Sequence, residues 1–484
     1  MENIKTKAFS STIWKFLERF STQFVSTVVQ IILARILIPA DYSIISIVTI
    51  FFTFADVFIS SGLNVALIQK KNASPREYSA VLYASLLISC IVYAILFFCA
   101  PAIADLYDQP LLVSVIRLMG LVLPVHAVKS IWSAYISSSL QFRKFFFSTI
   151  GGTLLSGVVG IVMALNGFGA WALVAQQMTS SIMGTLILII TTRVRLVLKI
   201  SLRELKVLYK YGWKVFVSSI ISTIYTESFP VIVGLKYSKT DLAFYTKGRG
   251  YPQLLSSSTT ITLSSVMFPV MAKYQDDKEK LLRYTRLFMR LSSFLAFPVM
   301  LGFLGIAENF VLVLLTEKWL PAVPYIQVFC FANMFDMIHI GNCETIKAMG
   351  KSGVYLIIEI IKKTAYFITI FLFLFLTNSP IAFAFSSIVC TLIAVVVNCI
   401  PNQKLLNYTL SKQVLDLLPN LLSAVAMYFV ITLVGFLSFS PLVLLCLQIV
   451  VGMIAYVAIA ILTKNPSFTY LWKTMKQMLK RKAS

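Results

Sequence analysis

Four cations interrupt an otherwise apolar region of the chain. The stretch VIVGLKYSKTDLAFYTKGRGYPQLL, residues 231–255, contains Lys236, Lys239, Lys247 and Arg249. A cation in hydrocarbon costs roughly 2.5–3.5 kcal/mol by insertion scales, so Lys247 and Arg249 are expected to face water or an anion. For Lys236 and Lys239 we favour snorkelling to the outer lipid head groups. These residue types predict anion binding within the membrane, since Arg offers a bidentate fork to a phosphate.

Polar side chains form a stripe along one predicted helix, at intervals of four, three, four and four residues: Thr49, Thr53, Asp56, Ser60 and Asn64. This spacing keeps them on one helical face. A second stripe repeats the same steps 200 residues later: Arg249, Gln253, Ser256, Thr260 and Ser264. The helices before these stripes agree less fully, with Arg19, Gln23, Ser26 and Gln30 opposite Ser219, Thr223, Thr226 and Pro230. The pattern predicts an internal repeat in which both halves have the same membrane orientation.

Ionisable residues within predicted spans are the candidates for ion coupling. Asp56 lies in the middle of the first stripe, and Glu227 lies one turn beyond Thr223. Intramembrane carboxylates are candidates for proton or cation carriers, and the alternative is a salt bridge to Lys247 or Arg249. Asp336 and His339 form a weaker second cluster. Neither the histidines nor the seven cysteines have metal-ligand spacing, so we expect no metal and no cofactor.

Composition determines which elements can position these residues. Hydrophobic residues make up 58% of the 484 positions and charged residues 13%. Apolar stretches of about 20 residues recur along the whole length, which predicts an all-α polytopic membrane protein with about fourteen transmembrane helices. The net charge of +23 is explained by basic cytoplasmic loops, so we expect no nucleic-acid partner.

Loop charges and the repeat together predict the organisation of the chain. Basic loops alternate with loops almost free of Lys and Arg, which places both termini in the cytoplasm. We expect two six-helix bundles, at 1–200 and 201–408, followed by two additional helices at 409–463. A basic amphipathic tail, 464–484, is expected to lie on anionic cytoplasmic lipid.

Several segments resemble, in order, the polysaccharide and lipid-linked oligosaccharide flippases of the multidrug/oligosaccharidyl-lipid/polysaccharide superfamily. They are ARILIPADYSIISI, GLNVALIQKK, SLQFRKFF, GFGAWALVAQQ, DLAFYTKGRGYPQLL and FPVMAKYQDDKEKL. The resemblance covers most of residues 8–350. It implies two bundles arranged in a V, a central cavity lined by the first two helices of each, and movement of an undecaprenyl-diphosphate-linked sugar to the outer leaflet of a bacterial inner membrane.

The stripes and the resemblance together define the candidate site. We expect the substrate diphosphate to be bound by cations, of which Arg249 is the first candidate: Arg249, Lys247, Arg35, Lys236, Arg117 and Lys129. Polar residues are expected to line the cavity: Gln23, Gln30, Thr53, Ser60, Asn64, Thr223, Gln253, Ser256 and Thr260. Coupling to a proton or to sodium is assigned to Asp56 and Glu227.

Two other functions remain open at this level. A cation-coupled drug exporter of the same superfamily would carry fewer cationic and more acidic cavity residues. A membrane glycosyltransferase or polymerase using the same lipid-linked sugar would be expected to display acidic or His residues on sizeable outer loops, and the outer loops here are short. An assembly scaffold would not explain the paired stripes. We therefore expect a transporter rather than an enzyme, whose partners are a lipid-linked oligosaccharide, the bilayer, and proteins of a glycan assembly system.

Overall fold

The computed structural model describes residues 2–60, 62–69, 73–139, 141–192, 194, 197 and 202–473, with most of their side chains. Within these residues every regular element is a helix. The first nine are α1 (Glu2–Ile36), α2 (Pro39–Ser60), α3 (Leu63–Gln69), α4 (Pro75–Leu106), α5 (Leu111–Gly120), α6 (Val122–Ser139), α7 (Phe142–Leu165), α8 (Ala170–Thr191) and α9 (Leu202–Lys236).

The remaining helices are α10 (Lys239–Lys273), α11 (Lys278–Phe310), α12 (Val323–Asn333), α13 (Asp336–Ala348), α14 (Ser352–Leu376), α15 (Pro380–Ala384), α16 (Ser386–Leu406), α17 (Leu410–Gly435) and α18 (Pro441–Leu462). A π-helical turn, Val311–Leu315, and a 3₁₀ helix, Glu317–Ala322, connect α11 to α12.

Eleven helical segments of the described chain are long and apolar enough to cross a membrane. Three more long helices, α1, α10 and α14, overlap the spans predicted from the sequence at 12–37, 243–270 and 354–377. The prediction of an all-α, multi-pass membrane protein is confirmed, and the count of fourteen spans stays a prediction.

The chain folds into two compact units, Met1–Ala243 and Phe244–Ser484. The first unit contains α9, because α9 packs on α2, α3 and α4. The predicted bundle boundaries were drawn from the sequence repeat and the loop charges instead. They stay a prediction.

The fourth predicted span of each half, 111–138 in the first and 323–347 in the second, is interrupted near its middle. In the first unit the break falls between α5 and α6 at Leu121, and in the second it falls between α12 and α13 at Met334 and Phe335. Pro124 contributes to the first break because it has no N–H to donate to the carbonyl of Gly120 four residues earlier. The backbone stays in the right-handed helical region at these residues, so each break is a kink within the span.

A glycine pair forms the close contact between α9 and the junction of α2 with α3. Gly62 has a φ of +89°, and a Cβ atom there would lie 2.7 Å from the carbonyl oxygen of Gly212. A Cβ on Gly212 would in turn lie 2.8 Å from the backbone of Gly62. The rings of Phe58 and Phe216 pack edge to face beside this contact, 5.3 Å apart. Glycine at both positions is therefore what allows the two backbones to touch.

The other end of α9 also contacts elements of the first unit. Gly234 lies against the ring of Tyr107, where an added Cβ would be 2.9 Å away. Just beyond α9, the Lys239 ammonium donates to the backbone carbonyl of Asp108 and lies 3.2 Å from its carboxylate. Snorkelling to lipid was the favoured prediction for Lys239, but its ammonium has this protein partner.

The second unit is organised around α11, which packs against α12, α13, α17 and α18. The Asp416 carboxylate on α17 accepts two hydrogen bonds of 2.7 Å from Arg286 and one of 2.5 Å from Arg290. Tyr408 donates a fourth, at 2.9 Å, and only 3% of the Asp416 side chain is exposed. This network attaches the two C-terminal helices to the rest of the unit.

The beginning of the predicted tail packs on the same unit. Asn465 is 1% exposed and donates to Asn420 at 2.9 Å, and the ring of Phe468 lies 6.4 Å from that of Phe294. The basic part of the tail from residue 474 onward lies outside the described residues. Its role at the membrane surface stays a prediction.

Asp416→Asn is expected to destabilise the second unit. The substitution leaves two guanidinium groups without their anion, and removing one member of a buried ion pair typically costs about 3–5 kcal/mol. Since Arg286 and Arg290 are 42% and 35% exposed, we expect a loss of about 2–3 kcal/mol. Thermal unfolding of the purified protein in detergent measures this loss of unfolding free energy. Asp277→Asn is the matched control, because Asp277 caps α11 at an exposed site, and an equal loss in both variants would contradict the assignment.

Gly212→Ala is expected to separate α9 from the junction of α2 and α3. The added methyl group would meet the backbone of Gly62, and overpacking of this kind costs about 1–3 kcal/mol. Gly353→Ala in α14 is the control, because nothing lies within 4 Å of the added atom and an open helical site gains up to about 1 kcal/mol from Ala. Opposite shifts in unfolding temperature are predicted. A stabilised Gly212→Ala would show that the glycine contact is not tight.

Candidate functional site

The polar stripe of α2 lines a cavity inside the first unit. Thr49, Thr53, Asp56 and Ser60 form one wall of a space of about 380 Å³. Helices α5, α6 and α8 complete it, contributing Met119, Val122, His126, Gln177 and Ser181. The four polar positions share this wall because their spacing keeps them on one side of α2.

A carboxylate, an imidazole and a hydroxyl form a connected group in this cavity. Nδ1 of His126 lies 3.2 Å from Oδ1 of Asp56, and Nε2 of His126 lies 3.1 Å from the Ser181 hydroxyl. The group therefore links α2, α6 and α8. Asp56 keeps 51% of its side chain exposed, so its second carboxylate oxygen is open to the cavity. A carboxylate joined to an imidazole in this way can hold a proton or a small cation.

Two further charges act near this group. Lys129 lies one turn beyond His126 on α6, and both Asp56 and Glu18 interact with its ammonium electrostatically. Glu18 on α1 is 8% exposed. The site thus combines two carboxylates with one cation and one titratable imidazole. Sequence reasoning assigned Lys129 to the diphosphate, and that role stays a prediction. In the structure its ammonium interacts with two carboxylates of the protein.

The second unit contains a related group at the corresponding position of the repeat. Ser256, which the repeat aligns with Asp56, is 3% exposed and donates a 2.8 Å hydrogen bond to Asp336. The other carboxylate oxygen of Asp336 lies 3.5 Å from Nε2 of His339. Each unit therefore connects its stripe to an ionisable residue just after the break in its fourth span. Asp336 also lies in the first turn of α13, where the helix dipole favours an acidic residue.

Lys247 and Arg249 point to different surroundings on α10. Two residues along a helix correspond to a rotation of about 200°, so their side chains cannot converge from one face. The Lys247 ammonium lies over the ring of Trp319 at 5.7 Å. Between them, Gly248 packs against Tyr325, where an added Cβ would be 2.4 Å from a side-chain atom. Arg249 shares the stripe face with Gln253 and Ser256 and is half-buried.

The other predicted cations lie on different helices of the first unit. Arg117 donates from Nε to the carbonyl of Phe97 at 3.4 Å, and its guanidinium lies 4.3 Å from the Phe97 ring centre. Arg35 is exposed in the last turn of α1. Lys236 is exposed at the end of α9, 5.5 Å from the ring of Tyr237. Their predicted contact with a diphosphate stays a prediction.

The remaining cavity candidates differ in their exposure. Gln30 of α1 and Gln176 of α8 approach each other at 3.5 Å, whereas Gln23 is exposed and donates to Thr27 of its own helix. Asn64 is 7% exposed and has no hydrogen-bond partner for its amide among the described residues. Thr223 is half-buried on α9, and Gln253 is exposed on α10. The side chain of Thr260 lies outside the described residues. Glu227, the second candidate for ion coupling, is half-buried on α9.

Sequence reasoning missed a charged group within α14. Lys362 is only 4% exposed, and its ammonium lies 2.6 Å from the Glu359 carboxylate. Lys363 lies 5.9 Å from the ring centre of Tyr366. The signal was present in the sequence as IIEIIKK inside a predicted span, and intramembrane charges of this kind indicate function by default.

The family model described as polysaccharide biosynthesis protein matches residues 32–324, more than half of the chain. An uncharacterized membrane protein in the cps region of Klebsiella pneumoniae is 26% identical over 399 residues, which are 80% of each chain. The succinoglycan biosynthesis transport protein ExoT of Rhizobium meliloti (strain 1021) is 23% identical over 320 residues, 66% of this chain and 65% of that one.

The fold is also similar to that of solved membrane transporters. The lipid II flippase MurJ, in an inward closed conformation, superposes with a TM-score of 0.77 at 15% identity, covering 94% of this chain and 99% of that one. This similarity concerns the fold, and the match to the family model concerns the sequence itself. The family expected from the sequence motifs is confirmed: the chain belongs to the polysaccharide biosynthesis protein family.

Proposed function

We propose that the protein is a flippase that moves an undecaprenyl-diphosphate-linked oligosaccharide from the cytoplasmic to the outer leaflet of a bacterial inner membrane. The observation that carries this proposal is the α2 stripe, whose polar side chains form one wall of a cavity of about 380 Å³ in a multi-pass membrane protein of the polysaccharide biosynthesis family. The oligosaccharide would be a unit of an O-antigen, a capsule or an exopolysaccharide. The named transport function of the Rhizobium relative supports an exported polysaccharide as the product.

The transport mechanism we infer is alternating access. The head group and sugar would pass through a polar interior while the polyprenyl chain remains in the bilayer, and the protein forms or breaks no covalent bond in its substrate. A glycosyltransferase would be expected to hold its catalytic groups on sizeable outer loops, whereas the group of Asp56, His126 and Ser181 and the two stripes are carried by helices of the predicted membrane spans. The function is therefore transport rather than catalysis.

Arg249 is the residue we assign to the diphosphate. It heads the stripe of α10 and has the planar guanidinium that binds phosphate oxygens in pairs. Lys247 is assigned a smaller role because its ammonium lies over Trp319. The main alternative, a cation-coupled drug exporter of the same superfamily, has no need of an anion-binding arginine at this position.

Asp56, His126 and Ser181 form the group that we assign to ion coupling. The coupling ion would be a proton or sodium, held between the Asp56 carboxylate and the imidazole or between the carboxylate and cavity water. Glu18 and Lys129 set the charge of the surroundings. Glu227 stays a second candidate on α9.

Arg249→Ala is expected to reduce leaflet transfer of a fluorescent undecaprenyl-diphosphate oligosaccharide in liposomes. Hydrogen bonds to a charged group contribute about 1.5–3 kcal/mol, which corresponds to a loss of about 10-fold or more. Arg249→Lys should transfer the lipid at a rate between those of the parent and Arg249→Ala, since it keeps the positive charge but loses the bidentate geometry of the guanidinium. Rates are compared at equal amounts of folded protein.

Arg283→Ala provides the control, because Arg283 is an exposed arginine at the predicted cytoplasmic end of α11. The flippase proposal is contradicted if the parent protein transfers none of several lipid-linked oligosaccharides under any imposed ion gradient. The assignment of Arg249 alone fails if the parent is active and Arg249→Ala equals Arg283→Ala.

Asp56→Asn is expected to remove the dependence of transfer on the coupling gradient while leaving gradient-free exchange measurable. His126→Gln should keep a hydrogen bond to Asp56 but remove the imidazole, and it should weaken the response of transfer to the coupling gradient less than Asp56→Asn does. Transfer is measured in liposomes with a proton gradient, a sodium gradient or neither. Asp108→Asn is the control at an exposed carboxylate, and an unchanged gradient response in Asp56→Asn would exclude this residue from coupling.

A further inference from the structure

An apolar groove lies between α9 and the pair α3 and α4, apart from the α2 cavity. Its volume is about 550 Å³. One wall is a face of α9 formed by Lys206, Tyr209 and Trp213, with Phe216 further along, at intervals of three, four and three residues. Ala84 of α4 contributes to the opposite wall. Since these intervals follow one helical face, the α9 wall is a continuous strip.

The strip lies at the end of α9 that precedes its membrane span. Lys206 and Phe216 are ten residues apart, about 15 Å along a helix, and the segment apolar enough to cross a membrane, Phe216–Lys236, begins where the strip ends. Along α9 the strip presents the cation Lys206, then Tyr209 and Trp213, which are 60% and 44% exposed, and then Phe216. Aromatic residues of this kind prefer the membrane interface. The strip therefore matches the sequence of head group, interface and acyl chain in a lipid.

Charge identifies the kind of lipid. Lys206 is exposed at the rim, and the sequence places Arg203 and Lys210 three residues before it and four after it on α9. The segment that precedes α9 is rich in Lys and Arg, which predicts that this end lies at the cytoplasmic surface. An anionic head group is attracted to such a surface. A zwitterionic lipid would gain the apolar contacts without this attraction.

We propose that this groove binds one acyl chain of an anionic phospholipid of the cytoplasmic leaflet, with the lipid phosphate on Lys206. The choice of a resident phospholipid over the transported lipid follows from mass action, because a site lined by apolar residues within the bilayer is occupied by the abundant lipid that fits it. The proposal concerns a site distinct from the α2 cavity and does not depend on the proposed transport.

Occupation of the groove would also stabilise the position of α9. Gly62 and Gly212, whose backbones touch, are among the residues that line it. A lipid there contacts α4 on one side and α9 on the other. Because a ligand favours the arrangement to which it binds, anionic lipid shifts the protein toward the state in which α9 packs against the junction of α2 and α3.

The test uses Trp213 as a probe in nanodiscs of phosphatidylcholine that contain increasing mole fractions of phosphatidylglycerol with brominated chains. Bromine quenches nearby tryptophan, and the difference between the parent and Trp213→Phe isolates the signal of Trp213. We expect saturable quenching at low mole fraction that brominated phosphatidylcholine does not reproduce. Lys206→Ala should require about fivefold more anionic lipid, the size expected for one cation at an anionic membrane surface.

Two matched pairs separate the groove from general effects on the protein. Ala84→Phe fills the groove and should abolish the saturable component, whereas Leu87→Phe, at a 63% exposed position of the same helix, should preserve it. Lys278→Ala removes another exposed cation and should leave the titration unchanged. Size-exclusion profiles establish that each variant is folded.

Equal quenching by the two brominated lipids, or an unchanged titration in Lys206→Ala, would overturn the proposal. Undecaprenyl diphosphate is added as a competitor. If it displaces brominated phosphatidylglycerol at a much lower mole fraction, the occupant is the polyprenyl lipid, and the assignment to a phospholipid is wrong.

Discussion

The hydrocarbon core of a bilayer provides no hydrogen-bond partners and penalises every charge, and the polar organisation of this protein follows from that constraint. Several of its intramembrane ionisable groups are accordingly found beside partners. Asp56 lies beside His126, Lys362 beside Glu359, and Asp416 between two arginines. The first of these groups faces a cavity, whereas the last is almost completely buried and attaches helices to one another. Exposure to a cavity thus distinguishes a candidate for transport from a structural ion pair.

The two units apply the same arrangement with different residues. In each, a polar stripe contacts the helix that follows the break in the fourth span, through Asp56 and His126 in one and through Ser256 and Asp336 in the other. The carboxylate belongs to the stripe in the first unit and to the broken span in the second. This exchange gives the two units similar hydrogen-bonded connections but places the carboxylate on different elements.

Much of the fold could be predicted from hydropathy, because a segment of about 20 apolar residues in a membrane protein has few structures other than a helix. Four residues of the stripe followed from their spacing on α2, whereas the prediction that Asn64 continues the same helical face was wrong, because α2 ends at Ser60 and Asn64 lies on α3 beyond the positive φ of Gly62. The partner of Asp56 did not follow from the sequence, because His126 is 70 residues away in the sequence and reaches the carboxylate only through the packing of the broken fourth span. The salt bridge to Lys247 or Arg249 that sequence reasoning offered as an alternative stays a prediction.

Helical geometry also limits what adjacent charges can do. Lys247 and Arg249 look like a pair in the sequence, yet the rotation of two residues on α10 separates them, and this could have been inferred from the helix itself. The Glu359 and Lys362 pair was likewise visible as charges within an apolar run. The environment of Lys129 was not, since the electrostatic effect of Glu18 and Asp56 on it depends on how α1, α2 and α6 pack.

The central claim is that the α2 stripe faces water and substrate rather than lipid, and thiol labelling in the membrane tests it most directly. In a background lacking the seven native cysteines, Thr53→Cys and Ser60→Cys are compared with Ile91→Cys, which is 51% exposed on α4. The account predicts that a water-soluble thiol reagent labels the two stripe positions several times faster than Ile91→Cys, and that a lipid-linked oligosaccharide slows labelling at those positions only. Equal labelling at all three positions, unaffected by the oligosaccharide, would contradict it.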